Sequence, residues 1–148
     1  MLEFASTALL VLSGVTAGVL FAVALSVVPA FLALEPAQYV QTHQLVGRRF
    51  DRVMPPAVLS SVLLATGLAA ATGQPLYGLG AALSLGVSLV SQFGNVPINR
   101  RVKKLDPSAI PADWSDPRLR WRRWHHLRTS SALLALLANA AATALAAR

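Results

Sequence analysis

No cysteine occurs in the 148 residues of this chain. That excludes a disulfide framework, a thiolate metal site and a thiol nucleophile. Charge is also scarce: 13% of residues are Asp, Glu, Lys or Arg, against about 25% in soluble domains. The six acidic residues all fall near helix ends or in loops, at Glu3, Glu35, Asp51, Asp106, Asp113 and Asp116. A proton- or cation-coupled carrier would lack its usual intramembrane carboxylate. There is no P-loop, no GxGxxG after a strand and no Gly-x-Ser-x-Gly. The start, Met1-Leu2-Glu3, has no basic n-region, and the apolar stretch behind it is about twice the usual signal-peptide length. It reads as a retained helix.

What the chain does have is long uncharged runs. Val53 to Asn99 spans 47 residues, Phe4 to Leu34 spans 31, and Thr129 to Ala147 spans 19. A bilayer core of roughly 30 Å needs about 20 apolar residues in a helix. The middle run is long enough for two crossings. The expectation is an all-α integral membrane four-helix bundle, up-down-up-down, with cytoplasmic helix extensions. Its helices run over about 4–34, 53–71, 76–104 and 117–147, and residues 1–148 form one domain.

The formal net charge is +7. Twelve of the 13 basic residues lie in segments 35–52 and 100–128, on one side of the bundle, and only Arg148 lies opposite. Short loops rich in Lys and Arg mark the cytoplasmic face. This places both termini and the Gly73-Gln74-Pro75 turn outside, in the inner membrane of the cell. The charge is accounted for by topology and by attraction to anionic lipid headgroups, without nucleic acid.

Helix 1 carries Gly14-Val-Thr-Ala-Gly18, a small-xxx-small pattern, and Pro29, which predicts a kink. Residues 36–53 read as an amphipathic interfacial segment or as an extension of helix 2, with Met54-Pro55-Pro56 punctuating entry to the membrane. Residues 105–116 form a loop, and Asp116-Pro117 starts the last helix.

Three groups carry candidate chemistry. Ser84, Ser88, Gln92, Asn95 and Asn99 share one face of helix 3, so this face should point into the bundle. Interhelical hydrogen bonding accounts for the serines. Gln92, Asn95 and Asn99 can also orient a polar ligand, beside the Phe93 carbonyl that Pro97 leaves without a donor. Trp121, Trp124, His125, His126 and Arg128 follow at the start of helix 4. An aromatic and basic belt explains any one of them, but the set exceeds what a belt needs. His43 stands at the same depth. Three histidines converging there could bind Cu, Fe or Zn through His43, His125 and His126, although no His-x-x-x-His or Glu-x-x-His spacing is present.

The chain resembles the DUF1772 family of small four-helix membrane proteins, which includes the anthrone oxygenases of aromatic polyketide pathways. The residues that carry the resemblance are Asn95-Val-Pro-Ile-Asn99, Trp114, and Trp121-x-x-Trp124-x-His126-x-Arg128-Thr129. His125 stands where similar proteins often carry Asn. The resemblance implies an oxygenase that takes an electron-rich aromatic, an anthrone-type phenol, and O2 to a quinone without a metal or organic cofactor. Its implied catalytic group is His126, with His125, Asn95, Asn99 and Arg128. Its implied substrate contacts are Trp121, Trp124, Gln92, Trp114 and His43. In this scheme a neutral histidine removes a carbon-bound proton, the amides and Arg128 stabilise the enolate, and the tryptophans stack on the ring. Two other readings fit the residues. One is a metal-dependent oxidase, with Cu or Fe on the three histidines. The other is a non-enzymatic lipid-binding, small-molecule-binding or structural protein. In the latter, Gly14, Gly18, Ala138, Ala140, Ala141 and Ala142 pack against a partner or a second copy in a homo-oligomer.

Overall fold

A computed structural model describes residues 1–146, without the Asp51 side chain. The expected last helical residue, Ala147, and Arg148 lie outside the described residues. Among those described, all regular structure is helical. Helix α1 covers Leu2–Ala33, α2 Pro36–Thr72, α3 Pro75–Val102 and α4 Arg118–Ala146. Each contains a segment long and apolar enough to cross a membrane, and the chain is a multi-pass membrane protein. Consecutive helices pack on one another, and α4 returns onto α1.

Helix α2 is a single helix from Pro36, so residues 36–53 extend it rather than lie apart in the interface. Its start is fixed by Glu35, whose side chain and that of Gln38 cap each other's backbone, with Pro36 at the first helical position. Pro55 and Pro56 lie inside it without ending it. It stops at Gly73, which takes φ 69, a left-handed conformation that costs glycine least. Gln74 then caps α3 by accepting from the Leu76 N–H, and Pro75 opens it. These two short-range caps make the tight α2–α3 hairpin.

Lipid gives apolar helix faces no hydrophobic reason to associate, so close packing and interhelical hydrogen bonds hold the bundle. At the end nearest Gly73, Leu9, Ala65, Leu68, Tyr77, Ala81 and Ala142 pack together. Asn139, fully buried, donates to Ser13 Oγ at 3.1 Å. Asn139 fits because the facing residue is Gly80, where a Cβ would collide with its side-chain oxygen. Ala138 and Ala142 thus face inward, whereas Ala140 and Ala141 are exposed. No other described residue comes within 4 Å of a Cβ built at Gly14 or Gly18.

At the opposite, basic end, long polar side chains tie the helix ends together. Gln44 donates to the carbonyls of Val102 and Leu105, at 3.1 and 2.9 Å. Arg118 donates to the carbonyls of Phe31 and Leu34, at 2.9 and 2.5 Å, closing the exposed end of α1. Asp116 holds Arg118 by a 2.7 Å hydrogen bond to Nε. Burial works to raise the Asp116 carboxyl. Hydrogen bonds from the Arg118 side chain and backbone outweigh it and hold the group below its ordinary range. A carboxylate held low contributes stability that is present above its ordinary range and lost as pH falls through the lowered value. Thermal melts in detergent should fall on acidification. Asp116→Asn should lower the neutral-pH melting point and remove that part of the acid loss.

Two irregularities shape the bundle between these ends. Residues Val23–Val27 of α1 and Ser91–Asn95 of α3 form wide π turns. The Val28 N–H bonds to the Val23 carbonyl, and the Val96 N–H to the Ser91 carbonyl, each five residues back. A proline follows each, Pro29 and Pro97. Proline has no N–H to give, and its ring crowds the carbonyl four residues earlier. A single turn of wider radius takes up both problems. The kink expected at Pro29 is taken up as a wide turn, and a matching one precedes Pro97.

Candidate functional site

Between the wide turns lies a cavity of about 410 Å³ in the half of the bundle towards the basic end. Val23 and Val27 of one π turn line it, as do Ser91 and Gln92 of the other. Phe31, Met54, Pro55 and Val58 make much of its apolar wall. His43, Asn99, Trp121 and Arg128 bring polar groups to it from three helices. A cavity of this size, largely apolar with a few convergent polar groups, has the character of a small-molecule site, which spans about 300–1,000 Å³.

The polar wall can be read from donor and acceptor chemistry. Trp121 Nε1–H only donates, and it lies 2.8 Å from Asn99 Oδ1. The Asn99 atom facing it is therefore the carbonyl oxygen. His43 Nε2 lies 3.2 Å from that same oxygen, so His43 carries its proton on Nε2. The Nδ2–H groups of Asn99 remain as donors. His43 is buried, stacked at 5.2 Å on Phe31 and edge-on at 5.7 Å to Trp121.

Behind Trp121 lies His125, fully buried, its ring parallel to the indole at 5.1 Å and 7°. Arg128 reaches His125 Nδ1 through Nε at 3.2 Å and Nη2 at 2.9 Å. Nδ1 therefore accepts, and Nε2–H donates to the Leu20 carbonyl at 3.0 Å. Both nitrogens of His125 are engaged, and the ring serves to set Arg128. Nη1 of Arg128 also reaches Ser91 Oγ at 3.4 Å. Wide turns, proline positions and polar anchors thus converge on one chamber.

Of the sequence-derived candidates, the fold brings His43, Ser88, Gln92, Asn99, Trp121 and Arg128 to the cavity. The others are placed elsewhere. His126 is exposed on the outer face of α4, with its ring centroid 6.3 Å from that of His125. Asn95 is fully buried against α4, donating to the Trp121 carbonyl at 3.1 Å. Asn99, one turn on, meets the same tryptophan at its indole N–H and reaches the cavity, whereas Asn95 does not. Trp124 packs on Gly94, and Trp114 packs beside Tyr39 with ring centroids 6.3 Å apart. The three histidines do not converge. The Trp121 indole stands between His43 and His125, and His126 faces away. Among the described residues, no three His, Cys, Asp or Glu side chains group to hold a metal ion.

Sequence reasoning missed the α1 wall, Ser91 and Tyr39. A signal for the first two was available: Val-Pro occurs at matching depth in helices 1 and 3. Tyr39 is buried, under the Arg118 guanidinium at 5.2 Å and edge-on to His43 at 5.4 Å. Burial, reinforced by Asp116, raises its phenol above the ordinary range, against the lowering pull of Arg118. It stays protonated and acts as packing for His43.

Gly94 has a specific purpose here. A Cβ at this position would come within 2.5 Å of Trp124 Cγ and Cδ2. Gly94→Ala should therefore push α4 from α3 and cost about 1–3 kcal/mol. Chemical or thermal unfolding in detergent measures it.

A family model described as anthrone oxygenase matches residues 43–138. The matched span runs from the cavity histidine through α3 and into α4. No curated protein and no solved structure matches the chain.

Proposed function

This chain belongs to the anthrone oxygenase family, and from that premise we propose that its cavity oxidises an electron-rich aromatic of the anthrone type with O2. The observation that carries the reading is the polar wall of the chamber. The His43 imidazole and two sets of donors, on Asn99 and Arg128, line a cavity that is otherwise largely apolar. His43 replaces His126 as the base, because His126 does not face the cavity.

In the proposed reaction His43 accepts a proton from the activated ring carbon. The charge moves to the ring oxygen as an enolate, where Asn99 Nδ2–H and Arg128 donate to it. The carbanion reduces O2 and bonds to it, giving a hydroperoxide. Loss of the second proton from that carbon breaks the O–O bond and releases water. One anthrone and one O2 give one quinone and one water, with no cofactor in the balance. Trp121 offers its face to the flat substrate.

The basic end lies in the cytoplasm under this reading, with the N-terminus across the inner membrane from it. Exposed arginines at that end meet anionic headgroups. The test is direct. Purified protein in detergent or nanodiscs should consume O2 and form anthraquinone from anthrone, one for one, faster than buffer does. Equal rates with and without protein sink the proposal.

A further inference from the structure

The cavity has a mouth, and its position is unusual. Its lining residues on α1 and α4 are buried or half-buried. Those with open faces all belong to α2 and α3. Phe50 is 37% exposed, Leu59 51% and Leu89 49%, and Gln92 is exposed beside them. The two helices meet at the Gly73 turn and are tied again by Gln44 to Val102 and Leu105, with the second wide turn and Pro55 between these points. Leu59 and Leu89 sit within spans able to cross a membrane. Gln92 is eight residues from Arg100, the first charge after it, or about 12 Å along a helix. The opening therefore runs from the hydrocarbon beside Leu59 and Leu89 to headgroup depth at Val46 and Phe50, in the leaflet at the basic end.

Gln92 adds a second observation. A carboxamide exposed at that depth is costly unless it has a use. No hydrogen bond from its side chain to another described residue is formed. We infer that the gap between α2 and α3 is a lateral portal, through which a neutral, lipid-dissolved aromatic enters sideways from the leaflet. Gln92 at its rim reads a hydroxyl or carbonyl on the entering ring. Phe50, Leu59 and Leu89 supply the apolar frame. This names how the substrate class of the proposed function arrives.

The absence of cysteine makes the test clean. A protein with Trp121 as its one indole (Trp114→Phe, Trp124→Phe) is placed in vesicles of phosphatidylcholine brominated on its acyl chains. Leu59→Cys and Leu89→Cys are added and joined by a bifunctional thiol reagent. Bromine should quench Trp121 in the unlinked protein, and linking should protect it. No quenching before linking, or the same quenching after it, overturns the portal. Leu59→Phe with Leu89→Phe narrows the mouth without linking chemistry and must also reduce quenching. For Gln92, binding of 1-naphthol should weaken about tenfold in Gln92→Leu, the worth of one hydrogen bond, while naphthalene is unaffected. Equal effects on both, or none, overturn that role. No turnover is needed. Protein that admits brominated chains and oxidises nothing would sink the oxygenase reading and leave the portal standing.

Discussion

His43→Ala should lower anthrone turnover by about 10²–10⁴-fold, the usual worth of a positioned base. His126→Ala should leave it unchanged. The pair separates two assignments that sequence motifs cannot. His126 belongs to the resemblance motif but stands on the outer face of α4. His43 lies at the start of the matched span, touches the cavity, and has its tautomer set by Asn99. His43→Gln is the stricter variant, since its amide fills much of the imidazole space but carries no base. O2 uptake and quinone absorbance measure all three. Activity lost in His126→Ala and kept in His43→Gln would remove the base assigned here.

Asn99→Leu should damage both fold and reaction. The Trp121 Nε1–H loses its acceptor, and an unsatisfied buried donor costs about 1–3 kcal/mol. The reaction loses its amide donor as well, a contact of the kind worth about 10²–10³-fold in rate. Asn99→Asp divides the two effects. It keeps an oxygen for Trp121 and His43 but has no Nδ2–H to offer an enolate. Its melting temperature should stay closer to that of the parent protein than the Leu variant's does, while its turnover falls with it. A melting temperature as low as the Leu variant's would show that the Trp121 bond does not anchor this wall.

Much of the architecture was legible because lipid leaves few choices. Backbone groups in hydrocarbon must be paired within the segment, so an uncharged run of sufficient length becomes a helix. The lengths of the runs give four helices, the caps at Glu35 and Gly73 give two of the ends, and the basic segments meet at one end as their positions require. The extension of α2 was one of two readings, and the continuous helix from Pro36 decided between them.

The site was legible only in part. Gln92, Asn99, Trp121, Arg128 and His43 were readable as polar or aromatic groups at one depth. Their facing was not. Asn95 and Asn99 share one helix face and both meet Trp121, Asn95 at its carbonyl and Asn99 at its indole N–H, but only Asn99 reaches the cavity. His125 and His126 are adjacent, so a helix must point them about 100° apart. Which one turned inward depended on how α4 packed against α1.

Sequence by itself determined that this chain lives in a membrane as four helices, with its charge at one end. Each of those properties follows from the free energy of single segments in lipid. Tertiary structure alone decided which histidine meets the cavity and where that cavity opens. Both depend on rotations of whole helices about their axes, set by two proline-driven wide turns and by small residues such as Gly80 and Gly94 across the helix contacts.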